Sequence, residues 1–153
     1  MALYLVQHGQ CLPKDVDPQK GLSDQGSAEV MRIADAAKGY NLQIGSICHS
    51  GKTRARQTAE IFASALEPKQ GIREKSGLKP LDDIITIAAS INNADNTMLV
   101  GHLPFMERMC AYLITGKTDK PVFKFQNGGI VCMDINAETQ SWIIKWILMP
   151  AIG

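Results

Sequence analysis

The sequence predicts an α/β protein of three layers (α/β/α), in which helices cover both faces of a mostly parallel sheet with an antiparallel edge. Short apolar runs that stop at polar turns alternate with segments of helical periodicity, as in β-loop-α units. The chain closes with two apolar runs around a polar turn, which is typical of a β-hairpin. With 153 residues, of which 45% are hydrophobic and 20% charged, the chain is long enough to fold as one domain spanning residues 1–153.

The predicted elements follow one another in a regular order. Apolar runs mark the strands, and capping residues with 3.6-residue periodicity mark the helices. The strands before the hairpin are Leu3–Val6, Ile44–Cys48, a short strand near Ile72, and Met98–Val100. The helices run from Ser23 to Gly39, from about Lys52 to Leu66, from Leu81 to Ile91, and from Pro104 to Gly116. The hairpin strands are Ile130–Ile135 and Trp142–Met149.

Charge and hydropathy exclude several classes of partner. The formal net charge is +1, so the chain has no basic field for nucleic acid or acidic lipid. Its apolar runs are far shorter than the roughly 18 residues of a membrane helix, and no signal-like segment opens the chain. The cysteines contain no C-x-x-C pair and fit a reducing compartment; they are Cys11, Cys48, Cys110 and Cys132. We therefore expect a cytoplasmic protein that binds neither nucleic acid nor membranes.

All three histidines follow apolar, strand-like runs; they are His8, His49 and His102. Open α/β sheets bind their ligands at the edge where the carboxyl ends of the strands meet. Each histidine alone is equally well explained as a turn residue satisfied by local backbone, but their coincidence favours a site. No H-x-x-x-H or equivalent spacing supports zinc, so we expect neither a metal nor a cofactor.

The segment from Ser50 to Arg54 begins a predicted helix, and its residues favour the binding of an anion. Free backbone N–H groups and the positive end of the helix dipole meet the cations Lys52 and Arg54 there. The alternative is a solvated basic first turn, which is mildly unfavourable to the helix unless an anion offsets it. A neutral imidazole can attack phosphorus while a guanidinium and a second imidazole stabilise the phosphoryl oxygens. His8, Arg54 and His102 can supply those parts.

Three segments resemble the histidine phosphatase superfamily in order and spacing, namely Gln7-His8-Gly9, Ser50-x-x-x-Arg54-Ala55-x-Gln57-Thr58-Ala59 and Gly101-His102. The resemblance covers essentially the whole chain and implies a phosphoglycerate mutase-like fold. The minimal length, Leu78-x-Pro80 and His102-Leu103-Pro104 are most similar to the SixA-type phosphohistidine phosphatases.

The resemblance also implies roles for individual residues. His8 is then the nucleophile that accepts the phosphoryl group, Arg54 clamps the phosphoryl oxygens, and His102 lies opposite as an electrostatic and hydrogen-bonding partner. Further substrate-binding residues are Gln7, Gly9, Lys20, Ser50 and Leu103. The implied reaction is hydrolysis of phosphohistidine on a protein, of the phosphorelay type, through phospho-His8. The partner is then a phosphorylated protein or a small phosphate ester.

The chain departs from the family pattern at Gln7, where the family motif reads Arg-His-Gly. Glutamine can donate a hydrogen bond but brings no charge and no bidentate fork. An alternative is therefore a phosphate- or phosphoprotein-binding module with weak or no catalysis. Lys20 lies where relatives carry a basic residue, and we expect it to replace part of the missing charge.

A second departure concerns the general acid that larger members of the superfamily carry after the Arg54 helix. In this chain only Glu74, Asp82 and Asp83 lie nearby in sequence. An imidazole has a pKa near 6.5 and leaves more easily than an alkoxide, so a phosphohistidine substrate needs little help from an acid.

Cys48 to Arg54 also matches the C-x-x-G-x-x-R loop of cysteine-dependent phosphatases, in which a thiolate lies over a helix N-terminus. Those enzymes usually follow the arginine with serine or threonine, whereas Ala55 follows here. Cys48 is also the last apolar residue of a predicted strand and is more simply a core residue. This interpretation remains a minor alternative.

Overall fold

The computed structural model describes residues 2–152, over which strands and helices alternate as predicted. The strands are β1 (Leu3–Gln7), β2 (Ser46–His49), β3 (Ile72–Glu74), β4 (Thr97–Gly101), β5 (Ile130–Ile135) and β6 (Trp142–Leu148). The α-helices are α1 (Asp24–Gly39), α2 (Thr53–Leu66), α3 (Ile84–Ser90) and α4 (Phe105–Thr115), with a 3₁₀ turn at Asn93–Asp95.

The strands form one sheet in the order β3-β2-β4-β1-β5-β6. The first four strands of the chain pair in parallel, whereas β5 runs antiparallel to β1 and β6 antiparallel to β5. This confirms the mostly parallel sheet with an antiparallel edge. Because β2, β4 and β1 are neighbours with the same direction, the residues that follow them gather at one edge. Gln7 lies opposite Gly101 in the β1–β4 register, and His49 lies opposite Val100 in the β2–β4 register.

Each face of the sheet carries its own hydrophobic core. Alternate strand residues point to opposite faces, so Val6 and Val100 pack with α1 and α2 while Leu5 and Leu99 pack with α3 and α4. The largest side chains of these cores, such as Phe62, are fully buried. Each buried side chain of this size contributes about 1.5–3 kcal/mol to folding. Over residues 2–152, no helix has the length and apolar content needed to cross a membrane.

Helix α1 begins where the sequence predicts, because the Ser23 hydroxyl accepts the Gly26 N–H at 3.0 Å. A side chain at Gly26 would collide with the backbone of Gln10, since its Cβ would lie 2.0 Å from the Gln10 carbonyl oxygen. The glycine therefore lets the loop that leaves β1 run directly against the start of α1.

Helix α3 is shorter than its apolar pattern predicts, because it begins at Ile84 and not at Leu81. The Asp83 carboxylate accepts the Thr86 N–H at 3.2 Å and caps the helix there. Leu81 and Ile85, which the periodicity assigns to the buried face, are 81% and 57% exposed. The prediction is wrong at this end because a local cap outweighs the apolar spacing.

Candidate active site

The backbone of His8 is held by two neighbouring segments just beyond the end of β1. Its N–H donates to the Gly101 carbonyl at 2.9 Å, which extends the β1–β4 pairing by one residue. Its carbonyl accepts the Asn127 side-chain amide at 2.9 Å, and the Gly128 N–H donates to the Gln7 carbonyl at 2.8 Å. The histidine therefore leaves the sheet in a fixed direction.

The ring of His8 is oriented by a hydrogen bond of 2.7 Å between its Nδ1 and the Gly9 carbonyl. Because a carbonyl only accepts, Nδ1 carries the proton and Nε2 carries the lone pair. Arg54 Nε donates to that lone pair at 3.3 Å. Burial lowers the pKa of His8 to about 4, and the Arg54 and Lys20 charges act in the same direction against the Gly9 hydrogen bond. The imidazole is therefore neutral at pH 7, and its nucleophilic nitrogen is unprotonated.

Thr58 fastens the first turn of α2 to the loop that carries His8. Its hydroxyl accepts the Gly9 N–H at 2.9 Å and donates to the Arg54 carbonyl at 2.8 Å. The side chain is completely buried. One hydroxyl thus links the backbone of Arg54 to the backbone of Gly9, the residue that follows His8. The sequence motif includes Thr58 but does not reveal this role.

His102 follows β4 and lies beside His8, with the ring centroids 5.1 Å apart and the planes inclined by 53°. Its Nε2 is 2.6 Å from the Ser50 hydroxyl, which follows β2. The side chain is 1% exposed, and Nδ1 has no hydrogen-bond partner within residues 2–152. Burial lowers the pKa of His102 to about 3, with further contributions from His8, Arg54 and the nearby lysines. Both histidines are therefore neutral at pH 7.

Gln7 directly precedes His8, and Lys20 belongs to the loop between β1 and α1. The Gln7 Oε1 atom is buried and has no partner in the described part of the chain. Lys20 adopts a left-handed backbone conformation with φ 51°. Its loop is closed by a hydrogen bond of 2.9 Å, in which the Asp17 carboxylate accepts the Gly21 N–H. The Lys20 charge acts on both histidines. A cation thus lies near the pair although Gln7 itself is neutral.

The structure separates His49 from the other two histidines. Its Nδ1 accepts the Gly51 N–H at 3.0 Å. Burial lowers the pKa of His49, and the charge of Glu74 opposes that shift. His49, the last residue of β2, is thus satisfied by local backbone. Across residues 2–152, no three His, Cys, Asp or Glu side chains are grouped so as to hold a metal ion.

Leu103, which the family resemblance implies as a substrate-binding residue, is half-buried and packs against the core between the sheet and α4. It follows His102 directly and precedes Pro104, the residue before the first turn of α4. Its role in substrate binding stays a prediction.

Cys48 is a core residue. Its side chain is 1% exposed and belongs to the same cluster as Leu99 and Phe105, on the α3–α4 face of the sheet. The residue lies inside β2, opposite Leu99, and not in the turn that follows the strand. This placement gives no support to the cysteine-dependent alternative.

Two of the three acidic residues that were candidates for a general acid are hydrogen-bonded elsewhere. Glu74, Asp82 and Asp83 line an open cleft of about 400 Å³ that reaches Ser50. Asp82 accepts the Lys79 N–H at 2.8 Å, and Asp83 caps α3. No hydrogen bond in the described residues joins any of these carboxylates to His8 or His102. The histidine pair therefore has no carboxylic acid as an immediate partner.

Solved structures share this fold over almost the entire chain. The protein histidine phosphatase SixA complexed with tungstate matches with a TM-score of 0.81 at 22% identity, covering 98% of this chain and 97% of that one. A SixA protein from Agrobacterium tumefaciens matches with a TM-score of 0.76 at 24% identity, covering 97% of each chain. A phosphoserine phosphatase from Entamoeba histolytica in complex with 3-phosphoglyceric acid matches with a TM-score of 0.68 at 15% identity, covering 96% of each chain.

No protein-family model matches the sequence. No curated protein matches it either. The solved neighbours, which are SixA proteins and other phosphatases, confirm the resemblance at the level of the fold. The chain has the phosphoglycerate mutase-like fold that the resemblance implies.

Proposed function

We propose that this protein is a phosphatase of the histidine phosphatase type that hydrolyses phosphohistidine on a partner protein through a phospho-His8 intermediate. The observation that carries the proposal is the His8 ring. Its proton is held on Nδ1 by Gly9, so Nε2 is unprotonated, and Arg54 Nε donates to that nitrogen at 3.3 Å until phosphoryl oxygens take over the donor. The likeness to SixA supports the proposal through the fold.

The chemistry proceeds in two displacements. His8 Nε2 attacks phosphorus, the bond between phosphorus and the substrate imidazole breaks, and the departing nitrogen takes a proton from solvent. Water then attacks the phospho-His8 phosphorus, the bond to Nε2 breaks, and inorganic phosphate leaves. Phosphoryl oxygens are charged and better acceptors for Arg54 than the imidazole nitrogen, so the guanidinium moves its donors to them. His102 supports the oxygens from the opposite side.

The protonation state of the site supports one substrate class over others. With pKa values of about 4 and about 3, neither His8 nor His102 carries a spare proton at pH 7. The nearby carboxylates make no hydrogen bond to either ring. An alkoxide leaving group needs a general acid, whereas an imidazole accepts a proton readily from water near neutral pH. This supports phosphohistidine as the preferred substrate.

A binding module is the second candidate, and Gln7 favours it. Without the motif arginine, the phosphoryl group is held by fewer fixed charges. In this case the protein retains a phosphorylated partner without turning it over. The fold is the same for both candidates and does not decide between them.

The deciding experiment measures release of inorganic phosphate from a histidine-phosphorylated protein by wild type, His8→Ala and Cys48→Ser. We expect release by wild type, loss of at least about 1000-fold in His8→Ala because the nucleophile is absent, and near wild-type rates in Cys48→Ser. Tight binding of the phosphoprotein by wild type without release would identify the binding module. Loss of activity in Cys48→Ser but not in His8→Ala would overturn both candidates.

A further inference from the structure

Ser50 makes a buried polar contact that phosphate binding does not explain. Its Oγ lies 2.6 Å from His102 Nε2 and also accepts the Lys52 N–H at 3.4 Å. The serine is 3% exposed and the histidine 1%. Because both side chains are excluded from solvent, the partner of each polar hydrogen has to be found within the protein or on a bound group.

The two tautomers of His102 leave different numbers of groups unpaired. A hydroxyl has one proton to donate and two lone pairs. With the histidine proton on Nε2, Ser50 accepts from both His102 and Lys52, so its own proton finds no acceptor in residues 2–152, and the Nδ1 lone pair is unpaired too. With the proton on Nδ1, Ser50 donates to Nε2 and only Nδ1–H is unpaired. Since unpaired buried groups are costly, the second arrangement is favoured.

We infer that Ser50 is a positioning residue that fixes His102 as the Nδ1–H tautomer, so that the ring holds an unpaired hydrogen-bond donor beside the phosphoryl site. The tautomer assignment is independent of the proposed function, but the use of that donor on a phosphoryl oxygen rests on it. The role of Ser50 is then to orient His102, and not to contact the substrate as the family resemblance implies.

The arrangement has a chemical consequence. A neutral ring whose donor is already oriented stabilises negative charge on the phosphoryl oxygens without reorganising during the reaction. A ring free to exchange its proton between the two nitrogens presents the donor only part of the time. The low pKa of His102 agrees with this, because the ring stays neutral at pH 7.

The test is nuclear magnetic resonance of ¹⁵N-labelled protein without added phosphate, in which two-bond ¹H–¹⁵N couplings show which His102 nitrogen carries the proton. We expect the proton on Nδ1 in wild type, and a change toward a mixture of tautomers in Ser50→Ala. Ser76→Ala is the matched control, because Ser76 lines the same cleft as Ser50. It should leave the His102 signals unchanged. A proton on Nε2 in wild type, or an unchanged pattern in Ser50→Ala, would overturn the inference.

A kinetic measurement separates positioning from binding. In Ser50→Ala, kcat for phosphate release should fall about tenfold or more while KM changes little. Ser50→Thr keeps the hydroxyl and should retain both the Nδ1–H tautomer and most of kcat. This variant also shows whether a loss in Ser50→Ala comes from the missing hydroxyl or from a folding defect. A raised KM with unchanged kcat and tautomer would return Ser50 to direct substrate binding. An inactive wild type with the Nδ1–H tautomer would contradict the proposed function and leave the role of Ser50 standing.

Discussion

Gln7 and His8 are adjacent residues with opposite consequences for phosphate chemistry. His8 supplies a neutral ring with an unprotonated Nε2, whereas Gln7 puts a neutral amide where the family motif has a guanidinium. The positive charge near the pair comes from Arg54 and from the lysines that also depress the pKa of His102. The proposed phosphoryl site therefore lacks the fixed charge that the family motif provides at this position.

Gln7→Arg should raise kcat/KM for phosphate release by roughly 2- to 30-fold, because a charge-assisted hydrogen bond is worth roughly 1.5–3 kcal/mol and a neutral one about 1. Steady-state kinetics on a phosphohistidine protein measure the change. Gln70→Arg is the matched control, since it adds the same charge at an exposed position before β3, at the opposite edge of the sheet. Equal gains in the two variants would mean that net charge, and not the arginine position, sets the rate.

The low pKa values of His8 and His102 predict that the stability of the fold decreases as the pH falls below neutral. They lie near 4 and 3, below the value of 6.5 that applies to an unfolded chain. Over the interval between the folded and unfolded values the unfolded chain binds more protons, so the stability that neutral rings confer is present above about pH 6.5 and is lost as the pH falls toward about 4.

We accordingly expect kcat/KM to be insensitive to His8 ionisation from about pH 8 to 5 and to fall only near pH 4. Nuclear magnetic resonance titration of the ring protons of both histidines gives the midpoints directly. A midpoint near 6.5 for His8 would show that the ring is hydrated and not buried.

At the level of secondary structure, the site depends on how α2 is attached to the end of β1. Thr58 is the attachment, because its hydroxyl pairs with the Gly9 N–H and with the Arg54 carbonyl. The apolar spacing predicts that α2 packs on the sheet, but no local pattern shows which helix residue bonds to the β1 loop. Asn127, which binds the His8 carbonyl, is 119 residues away in sequence and was equally beyond prediction.

Thr58→Val should lower the free energy of unfolding by about 1–3 kcal/mol, because the buried Gly9 N–H then has no acceptor. Valine has nearly the same shape as threonine, so the packing of the side chain changes little. Urea unfolding measures the loss. Thr115→Val is the control, since Thr115 also donates to the carbonyl four residues earlier, at 2.8 Å, but on a more exposed turn. A loss in Thr58→Val no larger than in Thr115→Val would contradict the role of Thr58.

For the molecule as a whole, strand ends and motif spacing were sufficient to predict the sheet edge and the meeting of His8, Arg54 and His102. The pairing of Ser50 with His102 was not predictable, because it depends on two strands that are neighbours only in the folded sheet. The third helix was predicted to begin at Leu81, which is wrong because apolar spacing alone does not reveal the cap at Asp83. Long-range pairing and local capping are thus where the prediction fails.

The reactivity of the cysteines tests the fold as a unit. Cys48, Cys110 and Cys132 are buried, and burial raises the pKa of Cys110 and Cys132 to about 11. Only the half-buried Cys11 should react rapidly with a disulfide reagent in the folded protein, and the other three should react as the protein unfolds. Cys11→Ser should remove the rapid phase. A rapid phase at Cys48 would place that thiol at the surface and revive the cysteine-dependent mechanism.

Rapid quenching of the wild-type protein with a radiolabelled phosphohistidine protein shows whether His8 carries the phosphoryl group. After tryptic digestion at alkaline pH, we expect acid-labile label on the peptide of residues 1–14, which contains His8 as its only histidine. Label on the peptide of residues 39–52, which carries Cys48, or turnover without labelled protein, would contradict it.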